Sequence, residues 1–344
     1  MKQTNLLSFL NKNEKDYLIP NNFIMEWKIN QPGKTMFLYD NDFDKKDYMF
    51  LGKFTWRDFK QEINIYYKND EQEPKIFKPR SKNYSTTNIS LLKSALQKAV
   101  RRQNVDLAVN IAYQLINLDF NELIRRLAII VLEDNSLNYD YISIIWFMAS
   151  SATKNLILTK SNIKWILGYV AAITKNNYKF NYDKKENIDN VKFINNDIFK
   201  TYNDLLLSLL LRKSFGGMNG DIRMLNFYLD YYYNKFKNMS LCDKFNELNL
   251  IVEPICTKMK IIDVLDFNLE AVDFHCNNSL VENIKKNYDE FSNEDIKLSI
   301  WYCSSGINFR EKEIYYEKYD FIWEKIKYIK YELSKKYLIY SKKK

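Results

Sequence analysis

Between residues 90 and 150 the apolar side chains recur with the period of a helix. This stretch limits the chain to folds in which several helices pack on one another. Leu92, Ala95, Leu96, Ala99 and Val100 stand at i, i+3, i+4, i+7 and i+8, which lines one helix face. Val105, Ala108, Ile111, Ala112, Leu115 and Ile116 repeat the pattern, as do Leu123, Ile124, Leu127, Ile130 and Val131. Short amphipathic helices leave their apolar faces in water unless they meet each other. Such a succession therefore predicts a helical body that the flanking segments complete.

The same stretch holds Leu96-Gln97-Lys98-Ala99, Arg101-Arg102, Arg125-Arg126-Leu127 and Glu133-Asp134. This series resembles the helical collar of the clamp-loader-like AAA+ ATPases of the RarA/MgsA type, over residues 90–137. The resemblance implies a collar or scaffold. No G-x-x-x-x-G-K-[ST] occurs in the chain, so the loop that cradles nucleotide phosphates and its lysine are missing, and no ATPase is implied.

A chain of 344 residues is long enough for a substantial core, in two domains or one large helical one. Its formal net charge of +9 favours an anionic partner, nucleic acid first and a membrane surface second. Asn, Lys, Ile and Tyr are abundant throughout, the bias of an AT-rich genome, which raises lysine and tyrosine content without selection for function. The four cysteines, Cys242, Cys256, Cys276 and Cys303, form no C-x-x-C pair and fit neither a zinc finger nor a disulfide scaffold. They read as reduced and intracellular, at a nuclear site or a viral or cytoplasmic replication site. No run of about eighteen apolar residues predicts a membrane span. Seven glycines and five prolines are too few for a fold made of many tight β-turns.

The N-terminus carries Gln3, Leu6 and Phe9 at the spacing of Q-x-x-[LIM]-x-x-[FY]-[FY]. This resembles the PCNA-interacting peptide, with Leu10 where a second aromatic is usual. One 3₁₀ turn sets Leu6 beside Phe9, since i and i+3 eclipse, and the pair would plug an apolar pocket on a sliding clamp. The alternative is an amphipathic turn docked on this protein's own body. Residues 1–15 are thus a candidate clamp-binding peptide. Residues 16–68 hold short aromatic runs at 23–29, 35–39 and 48–54, between turn signals, and read as strands. Residues 56–67 read as a helix, giving a small α+β region. Residues 69–87, with two prolines and mixed charge, read as a linker whose Lys75, Lys78, Arg80 and Lys82 form a basic arm or a solvated connector. Residues 88–344 make the helical body. Within it, core helices are expected at 162–173 and 198–212, and a final Lys- and Tyr-rich helix at 315–340.

Three groups could carry chemistry. Arg101, Arg102, Arg125 and Arg126 are candidate DNA contacts or members of an ion-pair network between helices. The stretch 215–221 holds Gly216, Gly217 and Gly220 between two helices, flanked by Arg212, Lys213 and Arg223. It reads as a phosphate site or as a tight turn with Asp221 as N-cap. Asp263, Asp266, Glu270, Asp273 and His275 are the densest acidic group, and His275 is the only histidine. On one helix Asp266, Glu270 and Asp273 would share a face at i, i+4 and i+7 and hold Mg²⁺ for phosphodiester cleavage. The embedded Val272, Phe274 and Cys276 suit ordinary core positions instead.

The reading is a mainly α protein with a small α+β N-terminal region. Its expected function is that of a non-ATPase scaffold in DNA replication or repair, without cofactor or membrane. Its partners would be a PCNA-like clamp and, non-specifically, DNA. The alternatives are a Mg²⁺-dependent nuclease or repair enzyme built on Asp266, Glu270, Asp273 and His275, and a structural protein without a nucleic-acid role.

Overall fold

A computed structural model describes residues 20–56, 59–80, 84–176, 200–237, 248–267, 272, 278–304 and 317–342. The protein is mainly α. The described residues hold ten α-helices and one four-stranded sheet near the N-terminus. The chain divides into two compact units, each drawn from three stretches. Met1–Phe77, Leu127–Trp165 and Phe180–Pro254 make the first; Lys78–Arg126, Ile166–Lys179 and Ile255–Lys344 make the second.

The first unit is built on the sheet. Its strands are β1 (Asn22–Lys28), β2 (Gln31–Leu38), β3 (Met49–Trp56) and β4 (Gln61–Asn69), in the order β2-β1-β4-β3. Each outer strand pairs antiparallel with its neighbour, and β1 runs parallel to β4. The strands expected from the aromatic runs are present, but the helix expected at 56–67 is not. Within β4, Ile63, Ile65 and Tyr67 turn inward with the period of two that a pleated strand imposes. The strand lies between β1 and β3 and pairs with both, and that tertiary pairing overrides any helical preference. A register shift at Phe50/Gly52 accommodates Gly52, whose φ is +142°. A Cβ there would lie 3.0 Å from Thr153 Cβ, so the position suits glycine twice over.

Residues 69–87 were expected to be an unpaired linker, yet part of them is tied into the first unit. Ile76 forms a β-bridge with Thr159, the Lys160 amide donates to Lys75 O at 2.7 Å, and the Phe77 amide donates to Leu158 O at 2.8 Å.

One sheet face is covered by α4 (Tyr141–Ala152), whose residues from Tyr141 to Ser150 are all buried. Trp146 Nε1 donates to Phe23 O at 3.3 Å, and its ring meets that of Tyr67 at 5.3 Å. At the β2 edge the Phe37 amide donates to Asp204 Oδ1 at 3.1 Å, so α6 (Lys200–Ser214) satisfies an amide that the sheet leaves over. The opposite face buries Ile24, Leu38 and Tyr66 beneath Met36, Phe43 and Tyr48.

Asp140 opens α4 without making a side-chain cap. Burial pushes its carboxyl up from 3.8 to about 6. The folded state thus holds this proton more tightly than the unfolded chain. The resulting stabilisation is full below the unfolded value and is lost as pH rises to about 6. Asp140→Asn should therefore stabilise the protein more at pH 7 than at pH 4. Urea midpoints at both pH values check this, and an equal change at both would contradict it.

The second unit contains α1 (Ile89–Arg101) and α2 (Val105–Leu118), packed as a pair. Asn88 caps α1 by accepting the Leu91 amide at 3.1 Å, and Asn104 caps α2 by accepting that of Leu107, also at 3.1 Å. The apolar stripes predicted from the period of 3.6 are buried: Leu92, Leu96, Ile111 and Leu115 are all 0 % exposed. A satellite core joins α8 (Asn278–Lys285), α9 (Asn293–Ser299), a π-helical turn at Ile300–Ser304 and α10 (Glu317–Lys342). The remaining helices are α3 (Phe120–Asp134), α5 (Lys160–Lys175) and α7 (Asn219–Lys237). The collar-like stretch is thus divided between the units at Arg126/Leu127, within α3.

Candidate functional site

The helix α10 buries one side and leaves the other in solvent. Ile322, Trp323 and Ile326 enter the satellite core, and Leu338 is also buried. At 100° per residue, Phe321, Lys325, Tyr328, Lys335 and Ile339 fall on one stripe of about 80°. Phe321 is 59 % and Tyr328 68 % exposed, an unusual display of large rings. Lysines lie against both rings. Lys325 Nζ is 5.6 Å from the Phe321 centroid, and Lys327 Nζ is 5.4 Å from that of Tyr328. Lys318 pairs with Asp295 at 2.7 Å and Lys327 with Glu324 at 2.5 Å. Lys325 and Lys335 are exposed on the stripe, as is Glu332, and Lys336 is exposed beside it. Chemically, this surface offers ring faces to stack on and ammonium groups to meet phosphates.

The arginines that were candidates for DNA contact or for an ion-pair network have different fates. Arg101 is buried, and Arg102 donates through Nη2 to Ser304 O at 2.8 Å and Cys303 O at 3.4 Å. A guanidinium so placed satisfies carbonyls at the end of the π-helical turn, which is why Arg102 turns inward. Arg126 donates to Gln97. Of the four, Arg125 alone is exposed.

The glycine turn is closed by its own residues. Gly216 at φ +73° and Gly217 at φ +156° reverse the chain after α6, and Arg212, buried, donates to Gly216 O at 2.8 Å. That bond removes Arg212 from any phosphate role. The next helix starts at Asn219, so Asp221 sits inside its first turn rather than at the N-cap; its Oδ2 accepts the Met218 amide at 3.4 Å. Lys213 is half-buried and Arg223 exposed.

The acidic group is not laid out on one helix. Asp263 and Asp266 form a reciprocal capping box around a 3₁₀ turn at Val264–Asp266. Phe267 follows in extended conformation, φ −71° and ψ 144°, which interrupts the helix needed to place Asp266 and Glu270 one turn apart. Glu270, Asp273 and His275 lie outside the described residues, as do Gln3, Leu6, Phe9 and Leu10. Among the described residues no three His, Cys, Asp or Glu side chains gather as a metal site, and no helix is long and apolar enough to cross a membrane.

Reading the sequence singled out α10 as Lys- and Tyr-rich but named none of its residues as a site. The signal available was its second stripe: Phe321, Tyr328 and Ile339 recur with helical period on the face opposite Ile322 and Ile326. No protein-family model matches this sequence, and no curated protein or solved structure is significantly similar to it.

Proposed function

We propose that the chain is a non-ATPase accessory factor in DNA replication or repair. In this reading it binds single-stranded DNA through the outer stripe of α10 and a sliding clamp through residues 3–10. The observation that carries the DNA part is the interleaving of exposed Phe321 and Tyr328 with Lys325, Lys335 and Lys336. Stacking tolerates any base and ammonium groups neutralise the backbone, so binding would be sequence-tolerant and salt-dependent. The net charge of +9 acts in the same direction. The collar resemblance at 90–137 and the clamp-peptide spacing support a place in replication. The test is fluorescence anisotropy of a labelled oligonucleotide over a series of salt concentrations. Affinity should fall steeply with salt and vary little between mixed sequences; absence of binding at low salt would reject the reading.

The clamp part has its own test. Phe9→Ala should weaken clamp binding by at least ~2 kcal/mol, roughly thirtyfold, because a central aromatic anchor dominates such interfaces. Leu10→Phe should strengthen it by restoring the aromatic pair. Titrating the cognate clamp with both variants, alongside melting curves, decides. A Phe9→Ala variant with unchanged clamp affinity and a lower melting temperature would make these residues an ordinary docked turn.

A further inference from the structure

We infer that a cavity in the second unit binds a small organic phosphomonoester. The cavity measures about 390 Å³ and is walled by α1, α8, α10 and Val272. That volume is within the ~300–1,000 Å³ typical of small-molecule sites. Its polar lining is made of neutral donors: Ser90, Ser94, Ser279, Asn283, Ser334 and Tyr337. Among the described residues no acidic side chain contributes to the lining.

Two helices present their first turns here. Ser90 and Leu91 belong to the first turn of α1, and Ser279 and Leu280 to that of α8. The partial positive charge at a helix N-terminus favours an anion. In α1 the Asn88 cap takes the Leu91 amide, and among the described residues no bond is made to that of Ser90. A buried lysine stands behind the wall. Lys330 is 0 % exposed and donates through Nζ to the carbonyl of Val272, itself a lining residue.

Independent of the helix ends is Ser334. It is 3 % exposed, lies one turn beyond Lys330 and lines the cavity. Among the described residues its hydroxyl makes no hydrogen bond. A hydroxyl that lines a cavity and makes no bond within the protein has room there for a partner. The ligand is more than a bare ion because the remaining lining is apolar: Leu91, Val272, Leu280 and Leu333, with the Tyr337 ring. These would hold the organic part while the Ser334 hydroxyl and the Ser90 amide hold the phosphate.

The experiment is isothermal titration of the full chain with phenyl phosphate, with inorganic phosphate and phenol as partial ligands. Phenyl phosphate should bind saturably and more tightly than either. Ser334→Ala should lower its affinity about tenfold, the value of one hydrogen bond to a charged group, and leave the melting temperature unchanged or raised. Ser334→Leu should fill the cavity and abolish binding; if that variant does not fold, Ser334→Ala still decides. A thymidine dinucleotide with and without a 5′ phosphate separates the sources. Binding that requires the 5′ phosphate assigns the site to nucleic-acid ends, and failure of both forms while phenyl phosphate binds assigns it to a free phosphomonoester. No saturable binding of phenyl phosphate, equal binding of phenol, or equal affinity in Ser334→Ala would each overturn the inference. None of these outcomes depends on the α10 stripe, so the DNA reading stands or falls separately.

Discussion

Replacing Phe321 and Tyr328 together by alanine should weaken binding of single-stranded DNA about a hundredfold. Stacking of one base on an aromatic ring is worth ~1–3 kcal/mol, so removing two platforms at the low end of that range already approaches this loss. Both rings are more than half exposed and contribute little to the core, so the double variant should melt within a few degrees of the parent. Charge reversal separates the second component. Lys335→Glu with Lys336→Glu should lower affinity at low salt and flatten its salt dependence, because each phosphate neutralised on a single strand adds ~0.7 to the slope. The aromatic variant should keep the parental slope. The length of the stripe is adequate: from Phe321 to Ile339 a helix rises ~27 Å at 1.5 Å per residue. The measurement is anisotropy at several salt concentrations for the three proteins. If the aromatic pair can be removed without loss of affinity, any DNA binding resides elsewhere, with Arg125 and Arg223 the next exposed candidates.

Trp27→Ala should destabilise the first unit by ~3–5 kcal/mol, the range for deleting a buried large aromatic. Trp27 is 0 % exposed at the end of β1. Its ring meets Phe147 and Trp165 edge-on, each with centroids 6.1 Å away. The indole N–H is shared between Glu71 Oε1 and Ser161 Oγ, both at 3.1 Å. Truncation therefore opens a cavity between sheet and helix and removes a donor shared by half-buried Glu71 and buried Ser161. Trp27→Phe separates the two effects by keeping most of the ring volume and losing only the N–H. It should recover more than half of the lost stability. Urea unfolding followed by far-UV circular dichroism gives both values. A loss below ~1 kcal/mol for alanine would mean that the sheet does not depend on this contact, against the usual cost of such a cavity.

What could be read from the sequence was what depends on near neighbours. The helices of residues 90–150 were legible because their apolar stripes repeat at the 3.6-residue period, so burial could be assigned without a partner. The final helix was legible for the same reason, including its Lys-rich outer face. The N-terminal strands at 23–29, 35–39 and 48–54 announced themselves through aromatic runs between turn residues. Residues 61–69 did not, because a short apolar stretch fits either period. Their identity as β4 comes from parallel pairing with β1, where Phe23 faces Ile65 across more than forty residues.

The fate of the charged candidates was equally a matter of distant partners. Nothing local distinguishes Arg102 from Arg125, yet one turns in to the carbonyls of Cys303 and Ser304 and the other stays at the surface. Arg212 is drawn inward by Gly216 O, and the helix imagined through Asp266 and Glu270 is interrupted by the extended backbone of Phe267. The cavity illustrates the limit most clearly. Ser90, Ser279 and Ser334 are far apart in the chain and unremarkable one by one. Only the packing of α1, α8 and α10 brings them around one space, because a helix determines which residues share its face and tertiary packing determines what that face meets.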